Sequence, residues 1–400
     1  MTKNRFTLRH RVFARFTVCV AIAAAVPAAA QHNTAQAARY SHSTVAGKAL
    51  ERSVDAYVRD EMTKRRIPGL ALAVIRRGRI EKVTSYGYAN AEFSVPVTSG
   101  TLFQVASITK EFTSVGVLEL VEAGKLKLDD RIGAYLYNLP AKWQDVTIRQ
   151  LLNHTSGLPD IINKTSESLA DTPDEALQLL WDKPLDFATG SQWAYNQTNY
   201  MLLQLLIEKV SGLSFERFCE ARLFAPLQLS SPTFGGQVII KQRASLYTAV
   251  VVGADPPKVL DRPEIYNAKM IPMLYSAGGL NISIEDFAHW IVALLEGKLI
   301  GKTSLEALWT SARLSDGHTF DSYGMGWWLS LQSPHPAVGG NGGGRASFFY
   351  YQKDGLVVIV LTNLLGSNPE SLVDGIAHQY LNPWDRVTPQ GSLDRADNRN

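Results

Sequence analysis

The chain has 400 residues, 46% of them hydrophobic and 19% charged, with a formal net charge of +3. That length and apolar content allow one large domain, or two interleaved ones, around a sizeable core. The charges are dispersed, and part of the excess sits at Lys3, Arg5, Arg9, Arg11 and Arg15. No basic face for nucleic acid is expected.

Residues 1–30 read as a secretory signal peptide. A positive start is followed by an apolar run from Phe16 to Ala25 and by small residues at Ala28-Ala29-Ala30. Cleavage after Ala30 is expected, with the mature chain exported to the periplasm. No later segment reads as a membrane span. Removal of the peptide also removes Cys19 and leaves Cys219 alone. Phe215 and Phe218 precede it in an amphipathic stretch, so it reads as a buried, inert thiol.

Residues 31–46 are small and polar, a flexible lead-in. Ala49–Lys64 has helical periodicity, and Pro68-Gly69 breaks the chain. Two extended runs, Leu70–Ile75 and Ile80–Tyr86, flank the Arg77-Gly78 turn and predict a β-hairpin. Three late runs, Met325–Leu331, Ala346–Gln352 and Leu356–Thr362, predict strands, and Ser371–Leu381 predicts a helix. Helical material fills the middle. The pattern predicts an α/β fold with an antiparallel sheet of about five strands built from both chain ends, flanked by helices, and with a mostly helical insertion. The expected domain runs from 47 to 385, its α/β part at 47–105 and 290–385 and its helical part at 106–289. Residues 386–400 form a polar tail.

The strongest local signal is Phe103-Gln104-Val105-Ala106-Ser107-Ile108-Thr109-Lys110, which opens a helix ending at Gly124. Three-residue spacing puts Ser107 and Lys110 on one helix face. The positive field of a helix N-terminus suits a developing alkoxide on Ser107. It also favours a neutral Lys110 amine able to accept the serine proton. A lone Ser-x-x-Lys is common, so its surroundings must carry the reading. His289, His318, His335 and His378 are scattered, which argues against a metallohydrolase. No Gly-x-Ser-x-Gly elbow is present.

The surroundings are specific. Ile67-Pro68-Gly69, Tyr86-Gly87-Tyr88-Ala89 and Leu126-Lys127-Leu128-Asp129-Asp130 flank the serine motif. Leu151-Leu152-Asn153-His154-Thr155-Ser156-Gly157-Leu158-Pro159 follows, then Ser276-Ala277-Gly278-Gly279-Leu280, Tyr323-Gly324-Met325-Gly326-Trp327 and Leu361-Thr362-Asn363. In this order, over roughly residues 50–382, the chain resembles the serine β-lactamase-like superfamily: class C β-lactamases, D-Ala-D-Ala peptidases and related esterases. The resemblance implies Ser107 as nucleophile, Lys110 as its partner, and Tyr195 of Tyr195-Asn196-Gln197 as the third catalytic group. A phenol can relay protons there if nearby cations favour its ionised form. The resemblance also implies that His154 is structural, in a turn beneath the site.

Two motifs depart from the family pattern. Gln197 stands where Asn is usual and keeps the amide on a longer stem; Asn196 and Asn199 are the alternatives for its role. Asn341 aligns with the usual Lys or His of the third motif, followed by Gly342, Gly343 and Gly344. The resemblance implies that the backbone N–H groups of Ser107 and Gly344 form the oxyanion hole. Arg345 is the candidate to replace the lost cation. Gln197, Asn341, Gly342, Gly343 and Arg345 thus form the expected substrate-binding set. The leading expectation is an exported serine hydrolase that acts on an ester or amide through an acyl-enzyme, with no metal or organic cofactor. The alternative is a catalytically degenerate member that binds cell-wall peptide or a protein partner.

Overall fold

The computed structural model describes residues 45–162, 168–236, 238–251, 254, 258–267 and 269–381. The expected signal peptide, the lead-in as far as residue 44 and the polar tail lie outside the described residues. Helix α1 (Val45–Arg65) leads into the expected hairpin, β1 (Gly69–Arg76) and β2 (Arg79–Asn90). Two short strands follow, β3 (Val95–Pro96) and β4 (Leu102–Gln104). A tight turn at Ala106–Ile108 then opens α2 (Thr109–Glu122). The middle of the chain carries α3 (Gln197–Ser211), β5 (Leu280–Ser283) and α4 (Ile284–Leu295), among shorter helices. The late elements are β6 (Trp328–Ser330), β7 (Ala337–Gly342), β8 (Ala346–Tyr351), β9 (Leu356–Thr362) and α5 (Pro369–Tyr380). Among the described residues no helix is long and apolar enough to cross a membrane.

The principal sheet is antiparallel and is built from both ends of the domain, as expected. It has seven strands in the order β6-β7-β8-β9-β1-β2-β3. At its centre β1 pairs with β9, Leu70 opposite Thr362 and Ile75 opposite Val357. These two strands are apolar at nearly every position because both their faces are covered. Ala71, Ala73, Ile75, Val357, Ile359 and Leu361 join the larger core shared with α2, α3 and α4. Leu70, Leu72, Val74, Leu356, Val358 and Val360 face a second core closed by α1 and α5.

The two strands beyond the expected five have physical causes. β7 reads Ala-Val-Gly-Gly-Asn-Gly, with too few side chains to show a period. β3 has only two residues. The expected strand at Met325–Leu331 shortens to Trp328–Ser330 because Gly326 takes a φ of 85°. A Cβ there would overlap the Ser114 hydroxyl. The insertion is largely helical, yet it includes an antiparallel hairpin, Tyr247–Val251 with Lys258–Ile265. In addition β5 pairs with β4 and so ties the insertion to the strand before Ser107. Cys219 is fully buried, and burial pushes its thiol pKa up.

Gly339 lies between β6 and β8, where a Cβ would overlap the carbonyl oxygen of Phe348. Main-chain atoms cannot rotate aside. Gly339→Ala is therefore expected to cost about 1–3 kcal/mol, the usual range for overpacking. Urea unfolding should show an earlier midpoint; an unchanged midpoint would contradict this packing.

Candidate active site

Ser107 owes its position to a strained residue. Ala106 has a φ of 47°, in the left-handed region where a Cβ is unfavourable. Strain of this kind costs on the order of 1–3 kcal/mol. The side chain of Thr109 holds the turn together. Its hydroxyl donates to the Ala106 carbonyl at 2.6 Å and accepts from the Leu280 N–H at 3.2 Å. Val105, Ala106, Ile108 and Thr109 are buried, and Ser107 alone in this run is partly exposed. The turn thus presents one hydroxyl from an otherwise closed surface.

Lys110 sits in the first turn of α2, directly after the Ala106–Ile108 turn, and is 1% exposed. Its Nζ donates to Gln197 Oε1 at 2.8 Å and to the Ala277 carbonyl at 2.7 Å. Desolvation lowers its pKa to about 7, against smaller upward contributions from Glu111 and Asp160. A neutral amine has two N–H donors and one lone pair. Gln197 and Ala277 occupy the donors, which leaves the lone pair as the group's remaining capacity, that of a base.

Gln197 reaches Lys110 because its backbone is fixed. Its N–H donates to Asp160 Oδ1 at 3.1 Å, at the start of α3. The alternatives, Asn196 and Asn199, are engaged elsewhere. Asn196 caps α3, accepting from the Asn199 N–H at 3.0 Å, and donates to the Leu158 carbonyl at 2.6 Å. Asn199 accepts from the Ser156 hydroxyl at 2.6 Å and contacts His154 Nδ1 at 3.0 Å.

The phenol of Tyr195 interacts with the side chains of Ser107 and Gln197, and its ring centroid lies 4.8 Å from Lys110 Nζ. The structure therefore brings Ser107, Lys110, Tyr195 and Gln197 together. Burial holds the phenol well above its ordinary pKa, and the carboxyls of Glu111 and Asp160 push the same way. Those effects outweigh the interactions with Ser107 and Gln197 that favour ionisation, so the resting group is a neutral phenol.

His154 packs beneath, with ring centroids 4.6 Å from Tyr195 and 5.2 Å from Tyr200. It is fully buried, and desolvation holds its pKa well below the usual imidazole value. Nδ1 accepts from the Asn196 N–H at 3.3 Å. The residue also occupies a turn at φ 61°. A neutral imidazole locked in this way acts as a spacer for the aromatic floor.

The glycine-rich strand β7 passes along the other side. Cβ atoms at Gly340 and Gly342 would overlap Glu111 Oε1 and the Val105 carbonyl, respectively. Gly343 at φ 53° and Gly344 at φ 60° continue the turn, and a Cβ at Gly343 would lie 3.2 Å from Ala106 Cβ. Asn341 alternates with Gly340 and Gly342. Its side chain accepts from the Ser347 hydroxyl at 2.7 Å across the β7–β8 pair. The positions facing Glu111 and Val105 are thus glycines, one residue to either side of Asn341. Arg345 is buried, with a pKa drawn down to about 10 by desolvation. Its guanidinium donates to Gln104 at the carbonyl, 3.1 Å, and at Oε1, 3.4 Å.

Sequence reasoning missed four contributors. Ala277 acts through a carbonyl, which no side-chain pattern shows, although its motif Ser276-Ala277-Gly278 is recognisable. Glu111 follows Lys110 in the chain but has no pattern that marks it, and only the fold brings Asp160 to Lys110 and Gln104 to Arg345.

Residues 54–381 match the Beta-lactamase family model. The chain belongs to the Beta-lactamase family. Penicillin-binding protein 4* of Bacillus subtilis is 32% identical over 256 residues, which cover 61% of this chain and 56% of that relative. The chain spans about half the length of the curated relatives it matches. Among solved structures, the octameric penicillin-binding protein homologue from Pyrococcus abyssi aligns with a TM-score of 0.68 and 25% identity, over 80% of this chain and 75% of that one. EstCE1, a hydrolase with promiscuous acyltransferase activity, shares the family fold. Its TM-score is 0.68 at 21% identity, over 83% of this chain and all of that one.

The lysine environment can be measured without substrate. An NMR titration of the Lys110 side chain should show a midpoint near pH 7. A midpoint close to the ordinary lysine value of about 10.4 would contradict it.

Proposed function

We propose that the protein is an exported serine hydrolase that opens an ester or amide through an acyl-enzyme on Ser107. The observation that carries this reading is the desolvated amine of Lys110, three residues from the partly exposed Ser107 and bonded through both donors. Neutral Lys110 takes the proton as Ser107 Oγ bonds to the substrate carbonyl carbon. Negative charge collects on the carbonyl oxygen, where the N–H groups of Ser107 and Gly344 are the proposed donors. When the tetrahedral adduct collapses, the bond to the leaving group breaks. Tyr195 passes a proton from Lys110 to the departing oxygen or nitrogen. It stays neutral between steps, giving one proton as it receives another. Water then attacks the acyl carbonyl by the reverse route and frees Ser107.

The substrate preference follows from the third motif. Asn341 is bound to Ser347, its neighbours are glycine, and Arg345 is directed to Gln104. Among the described residues no cation replaces the usual partner of a carboxylate on the leaving-group side. Esters and amides with neutral leaving groups therefore fit better than β-lactams or D-Ala-D-Ala peptides.

Ser107→Ala should reduce p-nitrophenyl ester hydrolysis by at least about a thousandfold with the fold intact. Wild-type kcat/KM should rise with pH through an apparent pKa near 7, because protonated Lys110 cannot accept the serine proton. Undiminished turnover in Ser107→Ala would remove the assignment. Export has its own check: periplasmic protein should begin at Gln31 by mass spectrometry, and an intact Met1 in membrane fractions would contradict it.

A further inference from the structure

A cavity of about 380 Å3 lies beside the strand that feeds the Ser107 turn. Its size falls in the range of small-ligand pockets. Gln104, Arg243, Ser245, Tyr266, Asn267 and Thr362 give it a polar wall, and no carboxylate is among its described lining residues. Gln104, which lines the cavity, stands three residues before Ser107 in the chain. It receives both hydrogen bonds from Arg345, whose Nη1 lies 2.9 Å from where a Gly343 Cβ would be. The buried guanidinium thus backs the cavity wall and the glycine turn together.

The chemistry of the wall is one-sided. Arg243 donates through Nη1 to the Gly236 carbonyl at 2.7 Å. Among the described residues neither Arg243 nor Arg345 is paired with an acid, although desolvation weighs on both. The Ser245 hydroxyl accepts from Asn90 Nδ2 at 2.9 Å, which leaves its own proton to donate. The Tyr266 phenol adds a further donor group to the wall. Two partly desolvated cations without an acid, with hydroxyl donors around them, form a site complementary to an anion. Ile265, 52% exposed, gives the wall an apolar edge suited to a carbon chain.

We propose that this cavity is a subsite for a carboxylate at the far end of the substrate's acyl group, anchored by Arg243. The ligand class is a short dicarboxylic acyl chain. The carboxylate site stands on the cavity alone, and its assignment to the acyl group rests on the hydrolase reading above. Charge selection would then operate on the acyl side, away from Asn341.

Glutarate is the probe. Isothermal titration into the full chain carrying Ser107→Ala should show saturable binding. Arg243→Gln should weaken that binding at least tenfold, and Arg243→Lys should weaken it less. No saturable binding, or binding indifferent to Arg243→Gln, overturns the subsite. The ratio of kcat/KM for mono-p-nitrophenyl glutarate over p-nitrophenyl valerate should fall about tenfold in Arg243→Gln, roughly the 1.4 kcal/mol of one charge-assisted contact. An unchanged ratio alongside lost glutarate binding would make the carboxylate a free effector and overturn the acyl assignment. Failure of the wild type to turn over either ester would count against the hydrolase reading and the acyl assignment, while the titration still decides the cavity.

Discussion

The site depends on one interaction: a lysine amine taken out of water and held by two acceptors. An amine so placed is costly as a cation and capable as a base. Its setting requires the Ala277 carbonyl from one side and the Gln197 amide from the other. Gln197 in turn requires Asp160 and the capped start of α3. Buried His154, with Asn196 and Asn199, supports the same helix end. A chain of small polar contacts therefore serves one nitrogen, and each contact satisfies a group that burial would otherwise leave unpaired.

The second constraint is steric. Strand β7 must run close to the Ser107 turn, and this leaves no room for Cβ atoms at Gly340 and Gly342. Beside it Ala106 takes a left-handed conformation, and Ser107 is the partly exposed residue of that turn. The glycines that admit the backbone also remove the side chains that would carry charge to the site. In the proposed reading discrimination by charge falls to the acyl side, where Arg243 lines a cavity free of described acids. The central strands β1 and β9, covered on both faces, supply the rigidity against which these close approaches hold.

Much of this is legible in the sequence where side chains repeat with a period. The β1–β2 hairpin, the apolar run of β9 and the terminal helices are of that kind. The extra strand β7 is not, because its glycines erase the alternation. The ordered motifs place the chain in its family and single out Ser107, Lys110 and Tyr195. The contact of Gln197 with Lys110 needed the start of α3 in space, since Asn196 and Asn199 are equally plausible as residue types. The charge state of Tyr195 was also out of reach, because it follows from burial and from Glu111 and Asp160. Asn341 shows the limit of alignment: its position matches the motif, but its hydrogen bond goes to Ser347.

The central claim is that Ser107 is a nucleophile activated in the resting protein. Its most direct test is covalent capture by a fluorophosphonate, with the modified residue located by peptide mass spectrometry. The account predicts one adduct per chain on Ser107, formed faster as pH rises through 7 and lost in Lys110→Ala. An unlabelled protein, or an adduct on another residue, would contradict it.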